Sequence, residues 1–387
     1  MKKVVTKFVS ALICGMLVAV TFISGCEQPD AFVGYLKKNG QAPKNFILDK
    51  LSNHQLVIYG EAHKRKASWD LLKSVINEPS FSKKTGIVFL EMSSDSQEKM
   101  DMFFANETMD SEIILDILRS VQSEGWDDRG MYEFIIDLWN LNRQLAEKEK
   151  IKVVLADIQR PFSSMKTSED LLNWITNAPD RDQQMADIIE TSMKSRKDER
   201  GGLFIVGMGH AFKVRIETDE FDWISAGAQL KERFSEQDVY ITLTHIPIMD
   251  NIGNVEGLTN NGIFDDAFER NKNKPVAFDL ADSPFGKELF DVFTELNSFE
   301  GLGNYENNFD GYIFLMPLKK EGSPYLLPEL ITGDFVQELR RRNDLVEELT
   351  GGEWQEYGTN LKDITLDDVH RYYQEKSLEN HWKNLKE

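Results

Sequence analysis

Short runs of β-branched and other apolar residues recur along the chain, and the intervals between them are long enough to hold helices. Each run spans only a few residues, a length that favours a strand over a buried helix. Because the runs are apolar at consecutive positions, they suit a sheet that is covered on both faces. The runs comprise residues 56–59, 87–90, 153–155, 203–206, 239–243, 276–278 and 312–315.

Several intervals carry the three-to-four spacing of apolar residues that is typical of helices. Trp69, Leu72 and Ile76 form one such set, and similar sets occur within residues 132–139 and 228–234. Alternating strands and helices predict an α/β fold with a mostly parallel sheet and helices on both faces. The interval 93–150 exceeds the length of a single crossover, and it predicts an inserted helical layer.

The two ends of the chain differ from this repeating pattern. Residues 27–45 are polar and include Pro29 and Pro43, which indicates a spacer. Beyond Pro317 no further strand is predicted, and residues 335–349 and 366–385 have the composition of exposed, charge-rich helices. A capping box from Thr365 to Asp368 would begin the second of them.

The first 25 residues have the character of a targeting segment. Lys2, Lys3 and Lys7 precede an apolar run at 8–23, which is shorter than the roughly 20 residues that span a bilayer. The run ends in the sequence ISGC at Cys26, which resembles the lipobox of bacterial lipoprotein signal peptides. The resemblance implies export, cleavage before Cys26 and acylation of its thiol, and so a lipid anchor in the bacterial cell envelope, at the outer membrane or cell surface. An ordinary secretory signal is the alternative.

Cysteine content and charge agree with this interpretation. The chain has two cysteines, Cys14 in the signal and Cys26 at the anchor, so processing would leave no free thiol. Loss of three lysines takes the formal charge from −20 to −23, which argues against nucleic acid and anionic lipid as partners. The predicted division is a signal peptide at 1–25, a lipidated linker at 26–45, an α/β domain at 46–320 and a helical C-terminal extension at 321–387.

Ionisable residues follow the predicted strands where each one ends. Ligands of parallel sheets bind outside the carboxyl ends of the strands, so these positions predict a site. Three of the six histidines lie there. Ionisable groups placed side by side cost free energy through desolvation and like-charge repulsion, so their clustering indicates a functional site. The residues are Glu61, His63, Glu91, Asp157, His210, His245 and Asp279.

Glu61 and His63 are two apart in an extended segment, so they should face one space together. Gly60 precedes His63 and Gly207 precedes His210, and both glycines allow close backbone approach. A carboxylate beside an imidazole suits acid–base chemistry on water or the binding of a divalent metal. A solvated turn is the alternative for a single Glu-x-His. His245 and Asp279 have plain structural alternatives, as a strand-end histidine and as a helix cap or turn residue.

The motifs GEAH at 60–63 and GMGH at 207–210 resemble a superfamily that joins Tiki/TraB proteases, ChaN-like haem-uptake lipoproteins and erythromycin esterases. The resemblance covers residues 56–317. Other segments are similar to its motifs in the same order, namely Leu90-Glu91, Arg181-Asp182 with Met185-Ala186, His210-Ala211 and Asp310-Gly311-Tyr312.

This resemblance implies a hydrolase, a peptidase or esterase, acting on a small-molecule or peptide substrate with or without zinc or manganese. Glu61 would be a general base or metal ligand, and Glu91 a ligand or second carboxylate. His63 and His210 would be ligands or proton carriers. Arg181 would stabilise developing negative charge. Asp182, which follows Arg181, would cap the helix or orient the arginine.

Two other functions remain open. One is a ChaN-like protein that binds haem or iron without catalysis. The second histidine that ChaN-like proteins tend to carry is missing from residues 64–69, although Tyr59 or Tyr132 could ligate iron. The other is a structural envelope lipoprotein whose site has decayed.

Overall fold

The computed structural model describes residues 28–121, 125–217, 222–249, 255–292, 302–352, 355–356 and 359–378, together with Trp382 and Leu385. The predicted signal peptide and Cys26 lie outside these residues. Within the described ranges, no helix is both long and apolar enough to cross a membrane.

A seven-stranded sheet forms the centre of the structure, and each of the seven predicted runs is one of its strands. The strands are β1 (Leu56–Glu61), β2 (Thr85–Ser93), β3 (Lys152–Asp157), β4 (Gly201–Gly207), β5 (Val239–Thr244), β6 (Val276–Asp279) and β7 (Gly311–Phe314). Their order in the sheet is β6-β7-β5-β1-β4-β2-β3. All neighbours are parallel except β6 and β7, so the predicted mostly parallel sheet is confirmed.

Both faces of the sheet are buried, which explains why the strands are apolar at consecutive positions. Along β1, Val57 and Tyr59 belong to the hydrophobic cluster on one face. Leu56 and Ile58 belong to the cluster on the other face, as the alternation of side chains along a strand requires.

Helices cover the two faces of the sheet. They are α1 (Gln28–Asn39), α2 (Pro43–Asn53), α3 (Lys66–Ile76), α4 (Phe81–Lys84), α5 (Gln97–Ala105), α6 (Ser111–Val121), α7 (Arg129–Asn142), α8 (Ser168–Asn177), α9 (Arg181–Lys194), α10 (Ala226–Arg233), α11 (Ile263–Arg270), α12 (Tyr305–Asn308), α13 (Gly333–Thr350) and α14 (Leu366–Leu378). Helices α5, α6 and α7 lie between β2 and β3 and form the predicted inserted layer.

The segment predicted as a spacer is helical at Gln28–Asn39 and again from Pro43, so that prediction is wrong for most of its described part. Helix α1 buries Phe32 and Leu36, which are four residues apart on one face. The Phe32 ring meets Phe285 edge-on at 4.8 Å between centroids. These apolar positions are diluted by polar neighbours in the sequence, which is why composition alone indicates a spacer.

The C-terminal helices are also more buried than predicted. Phe335 and Leu339 of α13 and Val369 of α14 belong to the same hydrophobic cluster as the core strands. The predicted capping box is present, since the amide of Asp368 donates to Thr365 Oγ1 at 3.2 Å. Helix α14 is assigned as far as Leu378. Because both helices bury one face in this cluster, the extension is part of the folded core.

Candidate active site

The two glycine-histidine motifs lie at one edge of the sheet because β1 and β4 are adjacent and parallel. Glu61 stands beside Gly207 in the register of these strands, so the two strand ends lie at the same edge, as predicted. Gly60 has to be glycine here, since a Cβ on it would lie 2.7 Å from the carbonyl oxygen of Thr242. The strand ends therefore bring Glu61, His63 and the segment around His210 to the same place.

Glu61 and His63 form a hydrogen-bonded pair. The Glu61 side chain is 2% exposed, and its Oε1 accepts a hydrogen bond from His63 Nδ1 at 2.5 Å. Burial disfavours the charged imidazole, but the attraction and hydrogen bond of Glu61 outweigh it and raise the pKa of His63 to about 9. The His63 side chain remains 40% exposed, so its ring is accessible from outside.

Trp126 packs on one side of this ring, with the two ring centroids 4.7 Å apart at an interplanar angle of 75°. Gly207 lies against its edge. A Cβ at Gly207 would be 2.9 Å from Cε1 of His63, 3.0 Å from its Nε2 and 3.3 Å from Oε2 of Glu91. Only a glycine therefore lets the His63 edge and the Glu91 carboxylate approach the same point.

Glu91 connects the part of the site around His63 and Gly207 with Arg181. Its Oε2 accepts the amide of Gly207 at 2.6 Å, and its Oε1 accepts Nη2 of Arg181 at 2.5 Å. Burial acts to raise the pKa of Glu91, but the His210 ring, when it is protonated, and the Arg181 guanidinium more than offset this effect, so the pKa lies below its usual range. Glu91 is a buried carboxylate that stays ionised.

Arg181 reaches the site from the first turn of α9, as predicted. Its Nε and Nη2 donate to the buried Asp157 carboxylate at 2.8 and 2.7 Å. Arg160 adds a further bond to Asp157 at 2.8 Å. Burial opposes ionisation, but these two guanidinium groups lower the pKa of Asp157. The sequence places Asp157 at the rim without a role, and Arg160 carries no sequence signal beyond its spacing of three residues.

His210 lies beside Arg181 on the other side from Asp157. Its Nδ1 donates to Asp182 at 2.8 Å, and its Nε2 accepts Nη1 of Arg181 at 3.1 Å. This geometry requires a lone pair on Nε2, so it holds for the neutral ring. Burial disfavours a second proton, but Asp182 and Glu91 favour it more strongly and raise the pKa of His210. Protonation would displace the Arg181 contact.

Asp182 does not cap α9, so the first of its two predicted roles is wrong. Helix α9 is capped by Asp180, whose side chain accepts the amide of Gln183 at 2.8 Å. Asp182 instead holds His210 and also accepts the amide of Ala226 at 2.7 Å. Its function in the structure is to fix the histidine that faces Arg181.

Two strand-end residues lie apart from this cluster. His245 is buried, with Nδ1 2.7 Å from the hydroxyl of Tyr312 and Nε2 3.2 Å from Asp265, so its structural alternative holds. Asp279 ends β6, which runs antiparallel to β7, and it therefore lies at the opposite edge of the sheet. There Asp279 accepts a hydrogen bond from Lys50 Nζ at 2.7 Å. Its predicted place at the rim is wrong.

Asp128 is a component of the site that the sequence analysis missed. It caps α7 and is fully buried, and its oxygens accept the amide of Lys64 at 3.0 Å and the indole of Trp69 at 3.1 Å. Burial and the neighbouring Glu61 carboxylate raise the pKa of Asp128 to about 6. An aspartate before a predicted helix indicates a cap, but nothing local shows that it lies beside Glu61.

The predicted zinc or manganese ligands do not fit a metal in this arrangement. Among the described residues, no group of three or more His, Cys, Asp and Glu side chains is arranged to hold a metal ion. Glu91 and His210 already use their donor atoms, and the guanidinium of Arg181 would repel a second cation beside them. Oε2 of Glu61 is buried without a partner in the described chain, and Nε2 of His63 is the other donor left over.

The two tyrosines named as possible iron ligands differ in position. Tyr59 is fully buried, its hydroxyl lies 2.9 Å from Ser68 Oγ, and burial raises its pKa, so it does not offer a phenolate. Tyr132 lies on α7 and is partly buried. His63 is the site residue that keeps a ring nitrogen available.

Several solved structures are similar to this chain. A succinoglycan biosynthesis protein matches with a TM-score of 0.52 and 12% sequence identity, over 75% of this chain and 97% of that protein. An erythromycin esterase mutant, EreC in its open conformation, matches with a TM-score of 0.47 and 10% identity, over 70% and 92%. ChaN of Campylobacter jejuni, described with cofacial haem, matches with a TM-score of 0.33 and 15% identity, over 52% and 86%.

No protein-family model matches the sequence, and no curated protein sequence matches it. The similarity to the succinoglycan biosynthesis protein shows a common α/β fold. The solved neighbours include an erythromycin esterase and a ChaN protein, two of the groups whose motifs the sequence resembles.

Proposed function

We propose that this protein is a hydrolase of ester or amide bonds in which the Glu61–His63 pair performs acid–base chemistry without a resident metal. The observation that carries the proposal is the 2.5 Å bond between the buried Glu61 carboxylate and Nδ1 of His63. This bond fixes the ring and leaves Nε2 as the nitrogen that can exchange a proton. The arrangement matches the general requirement for a positioned base.

In the proposed reaction, Nε2 of neutral His63 takes a proton from a water molecule as the water oxygen attacks the substrate carbonyl carbon. The new C–O bond places negative charge on the carbonyl oxygen. When the intermediate collapses, the bond to the leaving group breaks and His63 returns its proton to that group. Glu61 stabilises the imidazolium between these two steps.

Arg181 is the group best suited to stabilise the developing oxyanion. Its side chain is 32% exposed, so it faces accessible space, while Asp157 and Glu91 hold it in place from the buried side. A guanidinium that is fixed in advance does not have to reorganise when the charge develops. Glu91 and Asp157 are therefore positioning residues for Arg181, and His210 supports it from the opposite side.

The cellular location that we propose rests on the sequence alone. The lipobox-like segment supports an exported protein that is attached to the bacterial envelope by acyl chains on Cys26. Several acyl chains hold a protein stably where one is marginal. A small-molecule or peptide substrate would then meet the site outside the cytoplasm.

Hydrolysis of para-nitrophenyl acetate by the purified protein tests the proposal. We expect His63→Ala to abolish the activity and Glu61→Gln to reduce it strongly, with thermal melts that show both variants folded. His370→Ala is the matched control, because that histidine is exposed on α14. Activity that survives in His63→Ala would contradict the assignment.

Binding of haem is a second candidate function, favoured by the partly exposed His63 ring and its available Nε2. Addition of haem to the purified protein should then shift the Soret band, and His63→Ala should prevent the shift. Without a Soret shift in the wild-type protein, the haem alternative fails and hydrolysis stands alone.

A further inference from the structure

The loop between β1 and α3 carries His63, and its backbone is held from outside by distant parts of the chain. Lys64 adopts a left-handed conformation with φ of 65°, which is unusual for a residue with a side chain. Its carbonyl oxygen accepts the amide of Tyr325 at 2.7 Å, and its amide donates to Asp128 at 3.0 Å. Such a conformation persists when surrounding contacts determine it.

Arg65 completes the loop and makes a buried ion pair with Glu321, the first residue of the C-terminal extension. Both side chains are 4% exposed. Nε of Arg65 lies 2.9 Å from Oε1 of Glu321, and Nη2 lies 2.5 Å from Oε2. The remaining Nη1 donates to the carbonyl oxygen of His245 at 2.7 Å, so the guanidinium links the loop to two other elements.

Trp382 extends this contact toward the end of the chain. Its indole nitrogen donates to Oε2 of Glu321 at 3.2 Å, and its ring lies 5.8 Å from the Arg65 guanidinium carbon. A second contact of the extension reaches Asp127, which accepts the hydroxyl of Tyr373 at 3.1 Å and pairs with Lys64 Nζ. The extension therefore contacts both the loop between β1 and α3, which carries His63, and the segment before α7, which carries Asp127.

From these contacts we infer that Arg65 and Glu321 are positioning residues for His63. The C-terminal extension, which supplies Glu321, is therefore required for the geometry of the site. Arg65 is two residues from His63, so a shift of its guanidinium moves the loop that sets the Glu61–His63 bond. Removing one member of a buried ion pair leaves an unpaired charge, which would force such a shift. The inference rests on the proposed function only for its effect on rate.

The proton between Glu61 and Nδ1 of His63 supplies a readout that does not depend on hydrolysis. A short N–H···O bond gives a proton resonance far downfield, and the resonance is identified by its absence in His63→Ala. We expect Glu321→Gln to shift or remove this resonance and to lower the ester hydrolysis rate about a hundredfold, as expected for a misplaced catalytic group. Trp382→Phe, which removes the indole donor and replaces the indole by a smaller ring, should produce a smaller change in the same direction.

Glu338→Gln is the matched control, since Glu338 lies in the same extension and pairs with Arg341 and Arg342 on α13. It should leave the resonance and the rate unchanged. If Glu321→Gln and Trp382→Phe are folded and keep the wild-type resonance, the inference is overturned. If Glu321→Gln does not fold, Trp382→Phe decides by the same measurement. If the resonance moves but the wild-type protein does not hydrolyse esters, the positioning role stands and the hydrolase proposal fails.

Discussion

Gly207 of β4 lies so close to His63 that a Cβ on the glycine would be 2.9 Å from Cε1 of the ring. Real Cβ atoms do not approach so closely, so Gly207→Ala must displace the ring or the strand. Overpacking of this kind costs about 1–3 kcal/mol of stability. We expect Gly207→Ala to lower the midpoint of thermal unfolding and to lose most of the ester hydrolysis activity.

The chain supplies a control for this substitution two residues away. No atom lies within 4 Å of a Cβ built on Gly209, so Gly209→Ala should keep both activity and stability. Equal losses in the two variants would show that the turn itself, and not the contact with His63, is sensitive.

Arg181→Lys tests the stabilisation of negative charge. Lysine keeps the charge but cannot bond Asp157, Glu91 and His210 together, because it lacks the planar fork of the guanidinium. We expect kcat to fall by about 10²–10³. Arg233→Lys is the comparison, since Arg233 pairs with Asp187 and Glu190 on the surface of α9. A similar fall in kcat for Arg233→Lys would remove the special role of Arg181.

The pH dependence of hydrolysis follows from the raised pKa of His63, which is about 9. A general base has to be neutral, so kcat/KM should rise about tenfold per pH unit below this pKa and level off above it. Glu61→Gln removes the negative charge, and the inflection should move down toward the usual histidine value of about 6.5. A profile that falls through pH 9 would make His63 a general acid instead.

Stability has a linked dependence with a defined sign. The pKa of His63 is higher in the folded chain than the 6.5 of an unperturbed histidine, so the folded state binds this proton more tightly. The stabilisation is complete below pH 6.5 and is lost as the pH rises through 9. Urea unfolding of the wild-type protein and His63→Ala at pH 6 and pH 10 should show the difference between them shrinking at the higher pH.

The proposed anchor predicts the chemistry of the amino terminus. Mass spectrometry of the protein purified from membranes should find a chain that begins at an acylated Cys26. Cys26→Ser should accumulate as an unacylated precursor, because serine offers no thiol to the acyl donor. A mature chain that begins elsewhere would contradict the anchor.

The strands were predictable because a sheet with two buried faces requires consecutive apolar residues, and few other elements do. The direction of a strand, in contrast, cannot be predicted from this apolar pattern. The run at 276–278 resembles the others, yet β6 is antiparallel, and Asp279 consequently lies at the far edge of the sheet. The rim residues from β1, β2 and β4 were predictable because parallel neighbours end at the same edge.

Contacts between distant segments could not be predicted from the sequence. Asp182 follows Arg181 and has the position of a capping residue, but its partner is His210 across the site. Asp128 looks like an ordinary cap, and its position beside the His63 loop depends on how α7 packs against α3. The apolar face of α13 is hidden among charged residues, so its burial shows only once the core is assembled.

The bond between Arg65 and Glu321 joins residues that are 256 positions apart. During synthesis, β1 and the His63 loop leave the ribosome long before Glu321, their partner in the extension, because 256 positions separate Arg65 from Glu321. Contacts of such long range form late in folding, because the intervening chain has to be ordered first. A nascent chain therefore carries an incomplete site until Glu321 has left the ribosome.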